Sequence, residues 1–437
     1  MVTSDVGSKK WIIATSIALG LFMSFTTAMA AASKDSVSTQ RGATNHYVAF
    51  GDSLTAGYEP YKGRYYGFVD RLYEQALYHG RAALVNDGID GLTSTGLRTW
   101  LDSVVKDRPI DIAMVQPYLD DPNDGTIQHG KHMFAQPEVV RNDITTANVI
   151  TITIGGNDFL NSLAELLPMS AMDRATFAAS LNKTYDANVK QIISDLRTLN
   201  PNARIRIANQ YNPLWSSMIG YGEFENLATG FTKNLQSVIA SLNDTSGQGA
   251  STSTNASVDA PLQMVDIAAT FTGHQLSATH IAQADVHPTQ LGYSYKAEDF
   301  AASLWKNPVK LSGSSNSITV VADGRVLSSD EVALINGSAY VQVRALADAF
   351  GLTVNWDATL EEIRWTGVPS NGVTGDSIDM RLHVGSSDVQ FNGSRATMAG
   401  TVHLVNGRSY APLRSLVGAI GGQVVYVAPD NAAYIVQ

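Results

Sequence analysis

The chain has 437 residues, enough for two or three domains with cores of their own. A net charge of −10 and a pI near 5.3 speak against a nucleic-acid partner, which needs clustered Lys and Arg. Cysteine is absent, so disulfides, thiolate metal sites and a cysteine nucleophile are excluded together.

At the N-terminus Lys9 and Lys10 precede an apolar run over 11–25 and the small-residue stretch Ala28-Met29-Ala30-Ala31. That is the order of a secretory signal cut after Ala30. The alternative is a retained membrane anchor, because Thr and Ser extend the run to about 20 residues. The expected arrangement is a signal over 1–30, a mature N-terminal segment over 31–45 and a secreted or extracellular protein, with envelope association open.

Over 46–307 short apolar runs alternate with helical patterns. Candidate strands are 47–50, 82–85, 149–154, 205–208 and 263–267. Between them Leu181, Tyr185, Val189, Ile192 and Leu196 share one helical face, as do Tyr293, Ala297, Phe300 and Leu304. Such alternation predicts a parallel sheet covered on both faces. Two segments break the rhythm. Residues 106–140 are rich in Asp, Pro and His without a clear period and can form a lid. Within them Asp120 to Gly125 begins like a calcium loop but puts Pro122 at position 3 and Lys131 at position 12, so it reads as a solvated turn. Residues 244–257 are Ser, Thr, Gly and Asn in low complexity, a surface insertion.

After Trp305 comes a Ser-rich linker, 308–317, and then a region that repeats itself. Asn336-Gly337, Tyr340, Arg344, Gly351 and Val354 recur 70 residues later as Asn406-Gly407, Tyr410, Arg414, Gly421 and Val424. Each unit over 318–437 reads as strand, N-G turn, strand, short helix and closing strand, an α+β module built twice.

The chemistry starts at 47–57, Y-V-A-F-G-D-S-L-T-A-G, where a buried strand breaks into a turn carrying Ser53. A serine at the C-terminal edge of a parallel strand sits where open α/β sheets bind ligands, near a helix's positive end. Acyl transfer through serine needs a base, a group orienting the base and donors for the oxyanion. The run 85–94, V-N-D-G-I-D-G-L-T-S, has two glycines that let a backbone N–H approach a substrate. Gly155-Gly156-Asn157-Asp158 ends the strongest strand with an amide side chain, and Asp285-Val286-His287-Pro288 opens the last helix with Pro288 in its first turn. No G-x-S-x-G elbow occurs.

G-D-S-L near the N-terminus, a glycine in the second block, G-x-N-D in the third and a late His-Pro together resemble the SGNH (GDSL) hydrolase family, across 46–305. The resemblance implies a flavodoxin-like three-layer α/β/α domain, no metal or other cofactor, and hydrolysis of esters or thioesters. It also implies Ser53 as nucleophile, His287 as general base, and an oxyanion hole from Ser53 N–H, Gly91 N–H and the Asn157 side chain. One departure stands out. The family's last block is D-x-x-H, but position 284 is Ala and the nearest acid, Asp285, is two residues before His287. Residues i and i+2 diverge on a helix and share a side when extended. Asp285 therefore orients His287 only if the loop is extended there, and otherwise a backbone carbonyl does so.

Other polar residues carry plainer readings. Ser53 can cap a turn and Asn157 a helix; Asp52 and Asp158 read as turn-stabilising acids. His129 and His132 have metal-like i, i+3 spacing but no third ligand, and read as a solvated loop. His274 and His280 lie near the site in sequence only.

The repeat region resembles the copper amine oxidase N-terminal-like (stalk) domain, carried by Asn336-Gly337-Ser338-Ala339-Tyr340-Val341 and Asn406 to Arg414. Only His383 and His403 occur there, too few for an imidazole-rich copper site. The Tyr340–Arg344 and Tyr410–Arg414 spacings read as packing of the helix onto its own sheet. Envelope attachment, polymer binding and a spacer role are open for it. The combined reading is a secreted serine carboxylic-ester hydrolase for short to medium acyl esters. The alternatives are a polysaccharide acetylesterase, a lysophospholipase or thioesterase at the same site, or a non-catalytic protein that binds cell-wall polymer through the C-terminal module.

Overall fold

The computed structural model describes residues 44–62, 64–162, 169–218, 220–245, 258–309, 317–369 and 377–436. The expected signal, most of the segment 31–45, and most of the insertion and of the linker lie outside the described residues.

Five parallel strands, β1 (Asn45–Gly51), β2 (Ala82–Gly88), β3 (Val149–Thr153), β4 (Arg204–Ala208) and β5 (Leu262–Val265), form one sheet in the order β2-β1-β3-β4-β5. This is the flavodoxin-like order, in which ligands bind at the carboxyl edge where the order reverses, here beside β1. Register aligns that edge: Gly51 pairs with Gly88 on one side and with Thr153 on the other. The turns after β1, β2 and β3 therefore leave the sheet together.

Alternation along β1 shows why both faces are covered. Val48 and Phe50 enter a core with Trp100, Val189 and Ile192, whereas Tyr47 and Ala49 enter another with Phe68, Tyr293 and Phe300. The first layer holds α3 (Ser94–Val105), α5 (Ala171–Leu199) and α6 (Tyr221–Thr245); the second holds α2 (Phe68–Tyr78) and α7 (Gln290–Leu304). The expected face of α5 is buried at Tyr185, Val189, Ile192 and Leu196. Three local expectations are corrected. Residue 267 begins a helix, Ile267–Phe271, because the Asp266 carboxylate caps it. Pro288 precedes α7 altogether; Thr289 is the cap, accepting from Gly292 N–H. Residues 106–140 are no lid but part of the packed body. Their helices Ile112–Val115 and Gly125–Phe134, with the start of Pro137–Thr146, bury Ile112, Val115, Ile127, Phe134 and Val140 in the first core.

The C-terminal module is mainly β. Its two units follow the expected order, Val332–Ile335, Ser338–Gln342, Val343–Ala349 and Thr353–Asp357, then His403–Val405, Arg408–Pro412, Leu413–Ala419 and Gln423–Val427. Each N-G turn has positive φ at both positions, 51° and 76° at Asn336-Gly337 and 49° and 74° at Asn406-Gly407, as two-residue hairpins require. Val341 pairs antiparallel with Ala411, its counterpart in the other unit, so a local two-fold relates the units. The module packs on α2. Leu77 joins Val321, Ala432, Tyr434 and Val436 in one apolar cluster, and the buried Glu74 carboxylate accepts from Tyr66 and Tyr434 hydroxyls, each at 2.6 Å.

Candidate active site

Ser53 opens the single-turn helix α1 (Ser53–Ala56) directly after β1. Asp52 caps it, its carboxylate accepting from Leu54 N–H and from the Thr153 hydroxyl, both at 3.1 Å. The turn needs glycine at position 51: φ is +148° there, and a Cβ would lie 2.2 Å from the Thr153 carbonyl. With only one turn, α1 offers Ser53 a few free N–H groups rather than the macrodipole of a long helix.

His287 reaches Ser53 from the far end of the chain, with Nε2 2.9 Å from Ser53 Oγ. Its Nδ1 lies 2.6 Å from Asp285 Oδ1, and the same oxygen accepts the His287 backbone N–H at 2.8 Å. The left-handed Ala284, φ 61°, turns the chain so that the carboxylate folds over its own loop in an Asx-type turn. No extended strand is needed, and the partner of Nδ1 is the carboxylate rather than a backbone carbonyl. With the proton on Nδ1, Nε2 is the acceptor for the serine hydroxyl. Burial pulls the imidazole below its ordinary 6.5, partly opposed by the Asp285 charge, so the ring is neutral near pH 7.

The loop holding His287 is fixed from two sides. Tyr211 donates to the Val286 carbonyl at 2.7 Å, and His280 N–H donates to the His287 carbonyl at 2.9 Å. The His280 ring in turn lies 3.4 Å from buried Glu59. His280 thus supports the site from behind, while His274 packs against Tyr295, and His129 pairs with buried Asp87 at 2.8 Å.

Asn157 lies in the short helix α4 (Gly156–Leu160) after β3 and gives one of its two amide hydrogens to the Leu92 carbonyl, 3.0 Å. Asp158 binds Ser94 N–H at 2.8 Å and the Ser94 hydroxyl at 2.5 Å, which ties the third block to the second. Gly91 has φ +78°, and its carbonyl accepts from Gln116 at 2.9 Å. Ser53, Asn157 and His287 share one cleft of about 80 Å³ with Leu54, Leu160, Pro213, Phe224 and Val286; Gly91 lies outside its lining.

Sequence reasoning missed several supports. Tyr211 and Gln210 follow β4 at the same sheet edge, and that position is the signal that could have found them; Gln210 donates to the Ile154 carbonyl at 2.8 Å. Lys296 had no such signal. Its side chain is fully buried behind the Ser53 turn, with Nζ 5.2 Å from the Phe68 ring and no hydrogen-bond partner among the described residues. Burial pushes Lys296 down and Asp52 up, and the attraction between the two charges opposes both shifts.

Among the described residues no group of three His, Asp or Glu is placed to hold a metal. In the module His383 lies 3.7 Å from Glu362 while His403 packs against Tyr340, so the two histidines are engaged separately and do not fit a copper site.

A flavodoxin-like sheet carrying serine, histidine and carboxylate in contact at its switch point is an arrangement suited to acyl transfer. The model of the GDSL-like lipase/acylhydrolase family matches residues 49–295, more than half of the chain, and the chain belongs to that family. It is a carboxylic-ester hydrolase. The model of the copper amine oxidase N-terminal domain matches residues 290–365 and 321–435. Comparison with curated proteins gives no match. Among solved structures the chain is similar to the lipase Lip_vut3 from a goat rumen metagenome, at 20% identity over 60% of this chain and 97% of that one, TM-score 0.40. It is also similar to an extracellular lipase from Streptomyces rimosus, 16% identical over 60% of this chain and 100% of that one, TM-score 0.36. A phospholipase A1 from Streptomyces albidoflavus NA297 is 18% identical over 60% and 100%, TM-score 0.34. Likeness at this level bears on neither substrate nor mechanism.

Proposed function

We propose that the protein is a secreted esterase that cleaves short to medium acyl esters through a Ser53 acyl-enzyme. The observation that carries the mechanism is the unbroken line of contacts Asp285–His287–Ser53, at 2.6 and 2.9 Å. In this reading His287 takes the Ser53 proton as the serine oxygen attacks the ester carbonyl. Asp285 holds the imidazole in the competent tautomer, and Ser53 N–H, Gly91 N–H and the free Asn157 amide hydrogen receive the oxyanion. His287 then returns the proton to the leaving alcohol, and water repeats the cycle on the acyl-enzyme.

A cleft of about 80 Å³ supports a short acyl group, since sites that enclose a drug-sized ligand run to about 300–1,000 Å³. Secretion rests on the signal pattern in residues 1–30, and the division into a hydrolase domain over 46–307 and a repeat module over 318–437 rests on the change of pattern after Trp305. The test is hydrolysis of p-nitrophenyl esters from acetate to palmitate by the mature chain beside Ser53→Ala. Turnover greatest at the short end and abolished in the variant is expected; turnover that survives the substitution would remove Ser53 from the mechanism.

A further inference from the structure

We infer that Lys296 is a positioning residue for the acyl transfer: its buried ammonium is the counter-charge to the Asp52 carboxylate, and the pair holds the Ser53 turn in the geometry that aims Ser53 N–H at the oxyanion. This rests on the esterase reading above and assigns a further residue to that site.

A lysine almost never hides its whole side chain, because taking an ammonium out of water costs more than its alkyl stem gains. Lys296 does so midway along α7, with Nζ 5.2 Å from the Phe68 ring and 5.8 Å from the Tyr211 ring. Both rings belong to the core that holds Tyr47 and Ala49 of β1, and Leu54 of α1 enters the same core. The ammonium therefore stands beneath the turn from strand to helix. Two aromatic faces give it a cation–π attraction but no acceptor. That offsets only part of the cost of burial, and a carboxylate supplies the rest.

Two carboxylates act on the ammonium, Asp52 most strongly and Asp299 second. Asp299 is half-buried, one turn further along α7, and accepts from the Thr270 hydroxyl at 3.0 Å. Asp52 is 2% exposed and borders the cleft together with Tyr211, and the positive charge that favours its ionised form is Lys296.

Charge on Asp52 matters because of what the carboxylate grips. Its Oδ1 accepts from Leu54 N–H and from the Thr153 hydroxyl, both at 3.1 Å, and the Thr153 hydroxyl meets that of Thr55 at 2.7 Å. The turn is held in this way at the two residues that follow Ser53. An ionised acceptor makes such bonds roughly twice as strong as a neutral one. Without the ammonium, a carboxylate buried this deeply takes up a proton, and its grip on the turn loosens. Lys296 itself does not line the cleft, so substrate binding is expected to be indifferent to it. Its charge reaches His287 too, but ranks there behind burial, Asp285 and His280.

The experiment measures kcat and KM of the full chain on p-nitrophenyl acetate at neutral pH, with a melting curve for each protein. The proteins are the wild type, Lys296→Met, Asp52→Asn and the double variant. Methionine keeps the stem of the lysine and removes its charge. Lys296→Met is expected to lose about tenfold to a hundredfold in kcat with KM within about twofold, less than the 10²–10³ that a whole oxyanion donor is worth. In the Asp52→Asn background there is no carboxylate to hold, and the same substitution should cost under about threefold. A lysine that merely fills the core, or that acts on His287, would cost the same in both backgrounds, and that result would overturn the inference. A folded Lys296→Met with wild-type kcat, or with a loss confined to KM, would do so as well. Should Lys296→Met not fold, Lys296→Gln, neutral and of similar length, goes through the same cycle. Asp52→Asn alone should lose kcat by about the same factor as Lys296→Met. Wild-type kcat in that variant would overturn the inference even if no neutral Lys296 variant folds. If the wild type cleaves no ester at all, the esterase reading falls and takes this inference with it.

Discussion

Asp285 grips His287 twice with one oxygen, at the ring Nδ1 and at the backbone N–H, 2.6 and 2.8 Å. A two-residue spacing thereby does what a three-residue spacing does elsewhere, since the Asx-type turn brings carboxylate and ring to the same side. Asp285→Asn keeps the oxygen but loses the negative charge and the tautomer preference. In a serine protease the same change costs about 10⁴ in kcat, and a loss of about 10²–10⁴ is expected here, measured as kcat on p-nitrophenyl acetate. A loss under about tenfold would show that the carboxylate does not orient the base.

The pH profile follows from the sign of the His287 shift. Burial lowers its pKa below 6.5, and the base works only when neutral. The acid limb of kcat/KM should therefore have its midpoint below 6.5, with a plateau above it. Asp285→Asn removes the charge that holds the pKa up, so its limb should move to lower pH still. A wild-type midpoint at or above 7 would contradict burial as the dominant influence on His287.

Asn157 is tied to the Leu92 carbonyl, next to Gly91, by one amide hydrogen and is expected to offer the other to the oxyanion. Removing a single oxyanion donor costs about 10²–10³ in kcat. Asn157→Ala should show that loss with KM changed little, because the donor matters most as charge develops. An equal rise in KM with kcat intact would mark Asn157 as a ground-state contact only.

The contact between the hydrolase body and the module carries its own pH dependence. Glu74 is 2% exposed and is pushed from 4.5 up to about 7, first by burial and then by the neighbouring Asp430. A carboxyl raised in this way favours the folded state most below pH 4.5, and the benefit is lost as pH rises through 7. The shift corresponds to about 3 kcal/mol. Melting temperature should drop between pH 5 and pH 8 more steeply in the wild type than in Glu74→Gln. Parallel curves for the two proteins would rule out Glu74 as the titrating group.

Much of this was legible in the sequence, for physical reasons. The strands of a doubly covered sheet are short apolar runs, and the face of α5 repeats at helical spacing, so local pattern and tertiary burial agree at Val149 to Thr153 and at Val189 and Ile192. Each N-G pair announced its hairpin because few other residues tolerate positive φ at two successive positions. Illegible parts were those decided by distant packing. Residues 106–140 have no sustained period because their helices are short and each buries only two to four residues. Lys296 reads as an ordinary surface lysine on α7, and its burial depends on Phe68 and Tyr211, far away in the chain. Glu74 likewise gave no hint that Tyr434 would bind it across 360 residues.

The central claim is that Ser53, activated by His287, is the nucleophile. Its most direct measurement is labelling of the purified chain with a fluorophosphonate, followed by mass spectrometry of the peptides. The account predicts one phosphonylated residue, Ser53, with labelling lost in His287→Ala although that variant remains folded. Labelling at another serine, or undiminished labelling of Ser53 without His287, would contradict it.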